Sequence, residues 1–355
     1  MGFDVWLENR TPFEAATHVQ MNADGQEILL AVVSAGFTAP GLDATLEIAE
    51  AQLPVQFGDV PYGNPELCSN EHEADLALEK PQPELIVLGQ AHAPPGQLTE
   101  QIDVSVEAGD IRKRLRVTGD RLRVAGGLSP PRAFETMPIR WERAYGGTLP
   151  DGRLDQRNPV GIGYRDARSA DPDVLSDVPN ITDPDRPDTP VGLTPLGRGW
   201  LPRLPLAGTY DDSWLAKQWP LPPHDFKTAY NLCAPADQRS AALGPHTPVR
   251  LTNLTPNRVW AFRLPALTAP LTLIYRDRTE VRELEPDTVI IEPDAARVTL
   301  KARVAVPIVP NRPKLSELVL GHVSPVWLSA RRQGKAYLNP RGGDGTQTDK
   351  PLWVA

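Results

Sequence analysis

Two neighbouring stretches alternate apolar and polar residues with a period of two. Ile102, Val104 and Val106 share one face, and Asp103, Ser105 and Glu107 the other; Leu115 and Val117 then oppose Arg114, Arg116 and Thr118. Ala108-Gly109-Asp110 supplies a turn between them, so the pattern predicts an antiparallel hairpin with one solvated face. The basic residues Arg112, Lys113, Arg114 and Arg116 are read as a solvated strand face opposite Asp103 and Glu107; a contact for an anion is the alternative.

The same logic extends along the chain. Ala16–Gln20 and Glu27–Val33 flank Asp24-Gly25, a hairpin turn dipeptide. The run ILLAVV within the second arm is continuously apolar and β-branched, which predicts a strand buried on both faces. From Pro40 to Pro83 frequent prolines leave short pieces and a loop-rich segment. A strand is expected over Glu84–Ala93. Further on, Val249–Asn253, Arg258–Leu264, Leu271–Tyr275, Glu280–Leu284, Thr288–Glu292 and Arg297–Val306 recur at intervals of about 8–12 residues, the cadence of a sandwich or barrel. Lys314–Leu320 is read as one or two helical turns. Between Arg165 and Pro190 a polar run rich in Asp and Pro predicts an exposed excursion. The tail from Gly334 ends in PLWVA, where Trp353 is placed to dock a loose end.

One window breaks every periodicity. Gly208–Gln238 reads GTYDDSWLAKQWPLPPHDFKTAYNLCAPADQ, in which Pro220, Pro222 and Pro223 exclude a central strand while the aromatic rings supply much buriable area. That combination predicts a packed, functional loop. Asp211 or Asp212 is expected to cap a short helix over Ser213–Gln218, ended by Pro220. The expected architecture is therefore mainly β: antiparallel sandwich- or barrel-like sheets with long Pro/Gly/aromatic-rich loops and few short helices. It is one domain over 1–355, with an N-terminal β part (about 1–150), a loop-rich central segment (about 151–248) and a C-terminal β part (about 249–355).

Composition narrows the function classes. The chain has 355 residues, 39 of them proline, and a net charge of −8; the proline share is about twice the usual value. The acidic total speaks against nucleic-acid binding, and no apolar run is long enough for a membrane span. The opening MGFDVWLENRTPF lacks a basic region followed by an apolar core, so no export signal is expected. Cys68 and Cys233 are read as free thiols of a reducing compartment, with a disulfide as the alternative. None of the six histidines has a His or Cys at ligand spacing.

The strongest enzymatic reading takes Asp211, Asp212, His224, Asp225 and Asp237 as acid–base groups or divalent-metal ligands of a hydrolase. The competing and preferred reading makes them caps of helices and turns. Glu142, between Arg140 and Arg143, is read as a structural ion-pair partner. Gly161-x-Gly163 lacks the Lys-Ser/Thr of a phosphate loop and the third glycine of a dinucleotide site. No cofactor and no metal are expected.

Several motifs together resemble a known family. MPIRWERAYGG (Met137–Gly147), NPVGIGY (Asn158–Tyr164), TPLGRGWLPR (Thr194–Arg203) and the Gly208–Gln238 window are similar to the type VI secretion effector adaptors, or effector chaperones, first catalogued as a bacterial domain of unknown function. Weaker matches are Asn9–Phe13, Glu84–Pro94 and Leu284–Asp294. The strand ILLAVVSAGF departs from the resemblance at Ser34 and Gly36, where a more basic and β-branched pattern is expected. The resemblance implies a cytoplasmic, non-catalytic protein that binds a secreted toxin effector and helps to load it onto the VgrG spike or its PAAR tip. It marks Glu142, Arg143, Tyr145, Gly146, Gly147, Asn158, Pro159, Gly161, Gly208, Asp211, Asp212 and Asp225 as motif residues, read here as structural. Aromatic residues dominate protein interfaces, so Trp200, Tyr210, Trp214 and Trp219 are the effector-binding candidates, with loop core as their alternative. A carbohydrate-binding β-sandwich with the Trp-rich loop as a stacking platform is a further alternative.

Overall fold

The computed structural model describes residues 5–39, 45–124, 127–149, 151–164, 176–309, 314–333 and 335. The first part of the predicted excursion (165–175) and the tail with Trp353 lie outside the described residues.

The protein is mainly β, with three principal open sheets. The large sheet runs in the order Glu14–Met21, Glu27–Thr38, Arg297–Pro307, Pro286–Glu292 and Glu84–Val87, with Glu47–Ile48 paired to the second of these. A five-stranded sheet runs Ile181–Thr182, Ile111–Thr118, Gln101–Ala108, Pro248–Thr252, Val259–Arg263. A four-stranded sheet runs Trp6–Asn9, Leu315–Leu320, Leu271–Tyr275, Thr279–Arg282. Each draws strands from both ends of the chain, so the N- and C-terminal β parts interleave. Within these three sheets the strands pair antiparallel except where Glu84–Val87 meets Pro286–Glu292 and Trp6–Asn9 meets Leu315–Leu320.

Inward residues of all three sheets form one hydrophobic cluster, including Leu29 and Val33, Val104, Leu115 and Leu251, and Leu271 and Leu318. Strand Glu27–Thr38 is buried on both faces over its ten inner residues, as its unbroken apolar run requires. Its second face packs Leu30 and Val32 against Val55, Leu76 and Leu78 of the proline-broken segment. Polar clamps hold that segment down. Lys301 donates to Asp75 at 2.7 Å, and Arg303 donates to the carbonyls of Asp75 and Ala77. Gly36 admits the Gln52 carboxamide, which accepts from its N–H at 2.6 Å; a Cβ there would stand 3.0 Å from that oxygen.

Three expectations are corrected. Leu315–Leu320 is a strand, not a helix: a short apolar run carries no decisive period, and two neighbouring strands pair with it. A helix forms instead at Pro325–Arg332, capped by Ser324, whose hydroxyl accepts from the Trp327 N–H at 3.1 Å. Residues Val178–Ile181 of the excursion are buried, because Asn180 is bound on three sides by Thr118, Asp120 and Arg143.

The third concerns Lys113, which shares parity with Leu115 and Val117 and is only 6% exposed, so it leaves the basic strand face. Its ammonium meets Asp237 at 2.7 Å, and burial pushes its pKa down despite that partner. The Asp237 side chain is 56% exposed, so it stays solvated if the lysine is lost. Lys113→Met is therefore expected to keep or raise stability by up to about 1 kcal/mol, since it removes a buried charge while keeping the volume. Denaturant unfolding checks this; a loss beyond about 2 kcal/mol contradicts it.

Candidate interaction surface

The motif residues converge on one scaffold. Trp141 is buried and donates its indole N–H to the Thr194 carbonyl at 3.1 Å. Asn158, fully buried, donates to the Trp141 and Tyr145 carbonyls at 2.8 and 3.0 Å. Its own carbonyl accepts from Gly147 N–H at 2.8 Å. Tyr145-Gly146 and Ile162-Gly163 pair in parallel. Gly147 has φ +85°, and a Cβ would fall 2.1 Å from the Gly161 carbonyl oxygen, so this close crossing excludes any side chain. Pro159 is half-buried beside it, and Tyr145 packs on Tyr164 at 4.7 Å between centroids.

Glu142 does not pair with its flanking arginines. Its carboxylate accepts from the Ser69 N–H (2.6 Å) and hydroxyl (2.9 and 3.0 Å). Arg140 lies over the Tyr62 ring at 3.9 Å, and Arg143 donates to Asp120 and Asn180 at 3.2 and 2.9 Å. Glu142 thus ties the 3-10 turn Trp141–Arg143 to the segment that covers the large sheet.

From this scaffold the chain passes to the central loop through Trp200 and Arg203. Trp200 is half-buried against the main core and meets Trp141 edge-on at 5.8 Å. Arg203 is 1% exposed. It donates to the Tyr230 carbonyl at 2.9 and 3.1 Å, to the Leu196 carbonyl at 2.5 Å, and to Glu73 at 2.6 Å. Burial opposes its charge, but the Glu73 carboxylate outweighs that and raises its pKa. Gln238, fully buried, bonds the Leu85 and Leu193 carbonyls at 2.7 and 3.0 Å, fixing the far end of the loop.

Within the loop the acidic residues serve local geometry. Gly208 has φ +90°, and a Cβ there would press 2.9 Å from an Asp225 oxygen. That carboxylate accepts from the Thr209 N–H at 3.0 Å and hydroxyl at 2.8 Å, bonds that lower its pKa. Asp211 caps the helix Asp212–Lys217 by accepting from Trp214 N–H at 2.8 Å, and Asp212 occupies the first turn, where negative charge suits the helix dipole. Asp237 is committed to Lys113, and His224 is exposed. Among the described residues no group of three or more His, Cys, Asp or Glu is placed to hold a metal ion. Asp211, Asp225 and Asp237 are thus engaged in a helix cap, a turn and an ion pair. Both cysteines are free, Cys68 half-buried and Cys233 buried; burial pushes the Cys233 thiol well above its ordinary pKa, the direction that makes a thiol inert.

Among polar neighbours such as Asp211, Asp212 and Lys217, the loop also exposes three large apolar side chains. Tyr210, Leu215 and Trp219 are 56%, 60% and 64% exposed. Trp214 lies beneath them, half-buried, with its ring 4.7 Å from Tyr210 and its indole N–H on the Leu221 carbonyl at 3.0 Å. Gln218 anchors the helix end to the Ala23 carbonyl at 2.7 Å, in the turn of the first hairpin. Trp200 and Trp214 therefore support the loop, while Tyr210 and Trp219 face solvent. Leu215 joins them unforeseen; its position on the helix, one residue after the half-buried Trp214, is the signal that turns it outward. Tyr210 and Trp214 meet at 70°, so they do not make a coplanar platform for a sugar ring.

The fold is that of a mainly β protein with an aromatic-rich central loop, and its class is a bacterial protein family. A family model described as "Uncharacterized protein conserved in bacteria (DUF2169)" matches residues 24–303, and the chain belongs to that family. No curated protein and no solved structure matches it.

Proposed function

We propose that the protein is a non-catalytic, cytoplasmic adaptor that binds a type VI secretion effector and assists its loading onto the VgrG spike or PAAR tip. The observation that carries this reading is the exposure of Tyr210, Leu215 and Trp219 on a loop pinned at both ends by buried polar side chains. Rigid, solvent-facing aromatics lose little conformational entropy on binding, and they are the residues on which interface energy concentrates. The motif resemblance supplies the identity of the partners. No helix among the described residues is long and apolar enough to cross a membrane.

Co-expression with the products of neighbouring genes tests the reading. A toxin, spike or tip protein among them is expected to co-purify in stoichiometric amount. If the neighbouring genes encode none of these and none of their products binds, the adaptor reading fails.

A further inference from the structure

The register of the five-stranded sheet assembles a second surface from two distant hairpins. Its inner face is closed: Ile111, Lys113, Leu115 and Val117 are buried, as are Val104, Val106, Ala108, Val249, Leu251 and Trp260. The opposite face is open. One cross-strand row reads Arg112, Glu107, Arg250, Ala261; the next reads Arg114, Ser105, Thr252, Val259. Arg116 stands across from Asp103, and Arg263 across from Pro248. Cross-strand partners project to the same side. Five arginines therefore project to one side of the sheet, with Ser105 and Thr252 among them.

Two of these arginines are explained by the face itself. Arg116 meets Asp103 at 2.9 Å and Arg112 approaches Glu107 at 3.8 Å. Among the described residues Arg114 reaches Asp185 alone, on a loop, at 3.9 Å, with its side chain 54% exposed. The exposed Arg250 side chain makes no hydrogen bond or ion pair among the described residues, and Arg263, also exposed, donates to the His246 carbonyl at 3.0 Å. Five guanidinium groups against three carboxylates leave this face positive on a chain of net charge −8.

We infer that this open sheet face is a docking surface for an acidic segment of a partner protein, which lays carboxylates over Arg114, Arg250 and Arg263. Guanidinium groups match carboxylates in bidentate geometry, and arginine is enriched at protein interfaces. The interleaved Asp103 and Glu107 disfavour a nucleic-acid backbone, whose closely spaced phosphates would pass directly over them. A protein segment, with its side chains spaced apart, places charge beside the arginines and neutral atoms over Ser105 and Thr252. This surface is distinct from the aromatic loop and does not depend on the adaptor reading.

The test uses the full chain and a fluorescein-labelled glutamate decapeptide, followed by anisotropy across a salt series, with a thymidine decanucleotide of equal labelling as comparison. The peptide is expected to bind, more weakly as salt rises. The double variant Arg250→Glu, Arg263→Glu is expected to lose about tenfold or more in affinity with an unchanged melting temperature, because both side chains are exposed. Lys217→Glu, a charge reversal on the exposed helix Asp212–Lys217, is expected to leave binding unchanged. Absence of peptide binding, an equal loss in Lys217→Glu, or tighter binding of the oligonucleotide would overturn the inference.

Discussion

Arg203→Met is expected to lower the unfolding free energy by about 3 kcal/mol, at the lower end of what breaking a buried ion pair costs. The side chain is 1% exposed and its guanidinium satisfies the Leu196 and Tyr230 carbonyls as well as Glu73. Methionine refills most of the volume but donates to none of them, so two carbonyls lose a partner in a place water does not reach, at about 1–3 kcal/mol each. Glu73 is not stranded entirely: Arg198 remains 2.7 Å away and also holds Asp59 at 3.1 Å. That second arginine keeps the loss from the upper end. Its side chain is 36% exposed, so Arg198→Met is expected to cost about 1 kcal/mol or less. Denaturant midpoints for the two variants separate the roles. Equal losses would mean that Glu73, rather than the ring of carbonyls around Arg203, sets the energy. Because Arg203 also orients the start of the central loop, its variant is expected to open that loop to proteolysis before global unfolding.

Much of the β framework is written locally. The strands 101–108 and 111–118 announce themselves by alternation, and the six C-terminal strands by their spacing between turn residues. The Asp211 cap is legible for the same reason: a cap depends on three or four consecutive residues. What was not legible depends on partners far along the chain. Strand Trp6–Asn9 forms because Leu315–Leu320 pairs with it in parallel, and nothing within WLEN predicts that. Composition groups Lys113 with its basic neighbours, whereas its parity with Leu115 and Val117 places it inward. Arg203 is one residue of a motif until Glu73, 130 positions earlier, is brought to it. The same holds for the candidate surfaces. The aromatic content of the central loop is plain in the sequence, but which rings face solvent is decided by Trp141 beneath Trp200 and by Leu221 beside Trp214. Arg250 and Arg263 join Arg112, Arg114 and Arg116 only through the sheet register.

Trp219→Ala is expected to weaken binding of the effector or spike component recovered by co-purification by about 2–4 kcal/mol, roughly 30- to 700-fold in dissociation constant. The ring is 64% exposed in the free protein, so its truncation removes contact area from the complex while leaving the fold almost untouched, and the melting temperature should stay within about 2 °C of the parent. Leu215→Ala, on the same face but smaller, is expected to cost about 1 kcal/mol of affinity. Trp200→Ala provides the contrast: it is packed on Trp141 and the main core, so it should lower stability by about 3 kcal/mol or more and affect binding only through that loss. Calorimetric affinities paired with thermal melts for the three variants distinguish a recognition surface from a structural one. If Trp219→Ala binds as tightly as the parent while remaining folded, the outward-facing rings do not carry recognition, and the contact must be sought on another face of the molecule.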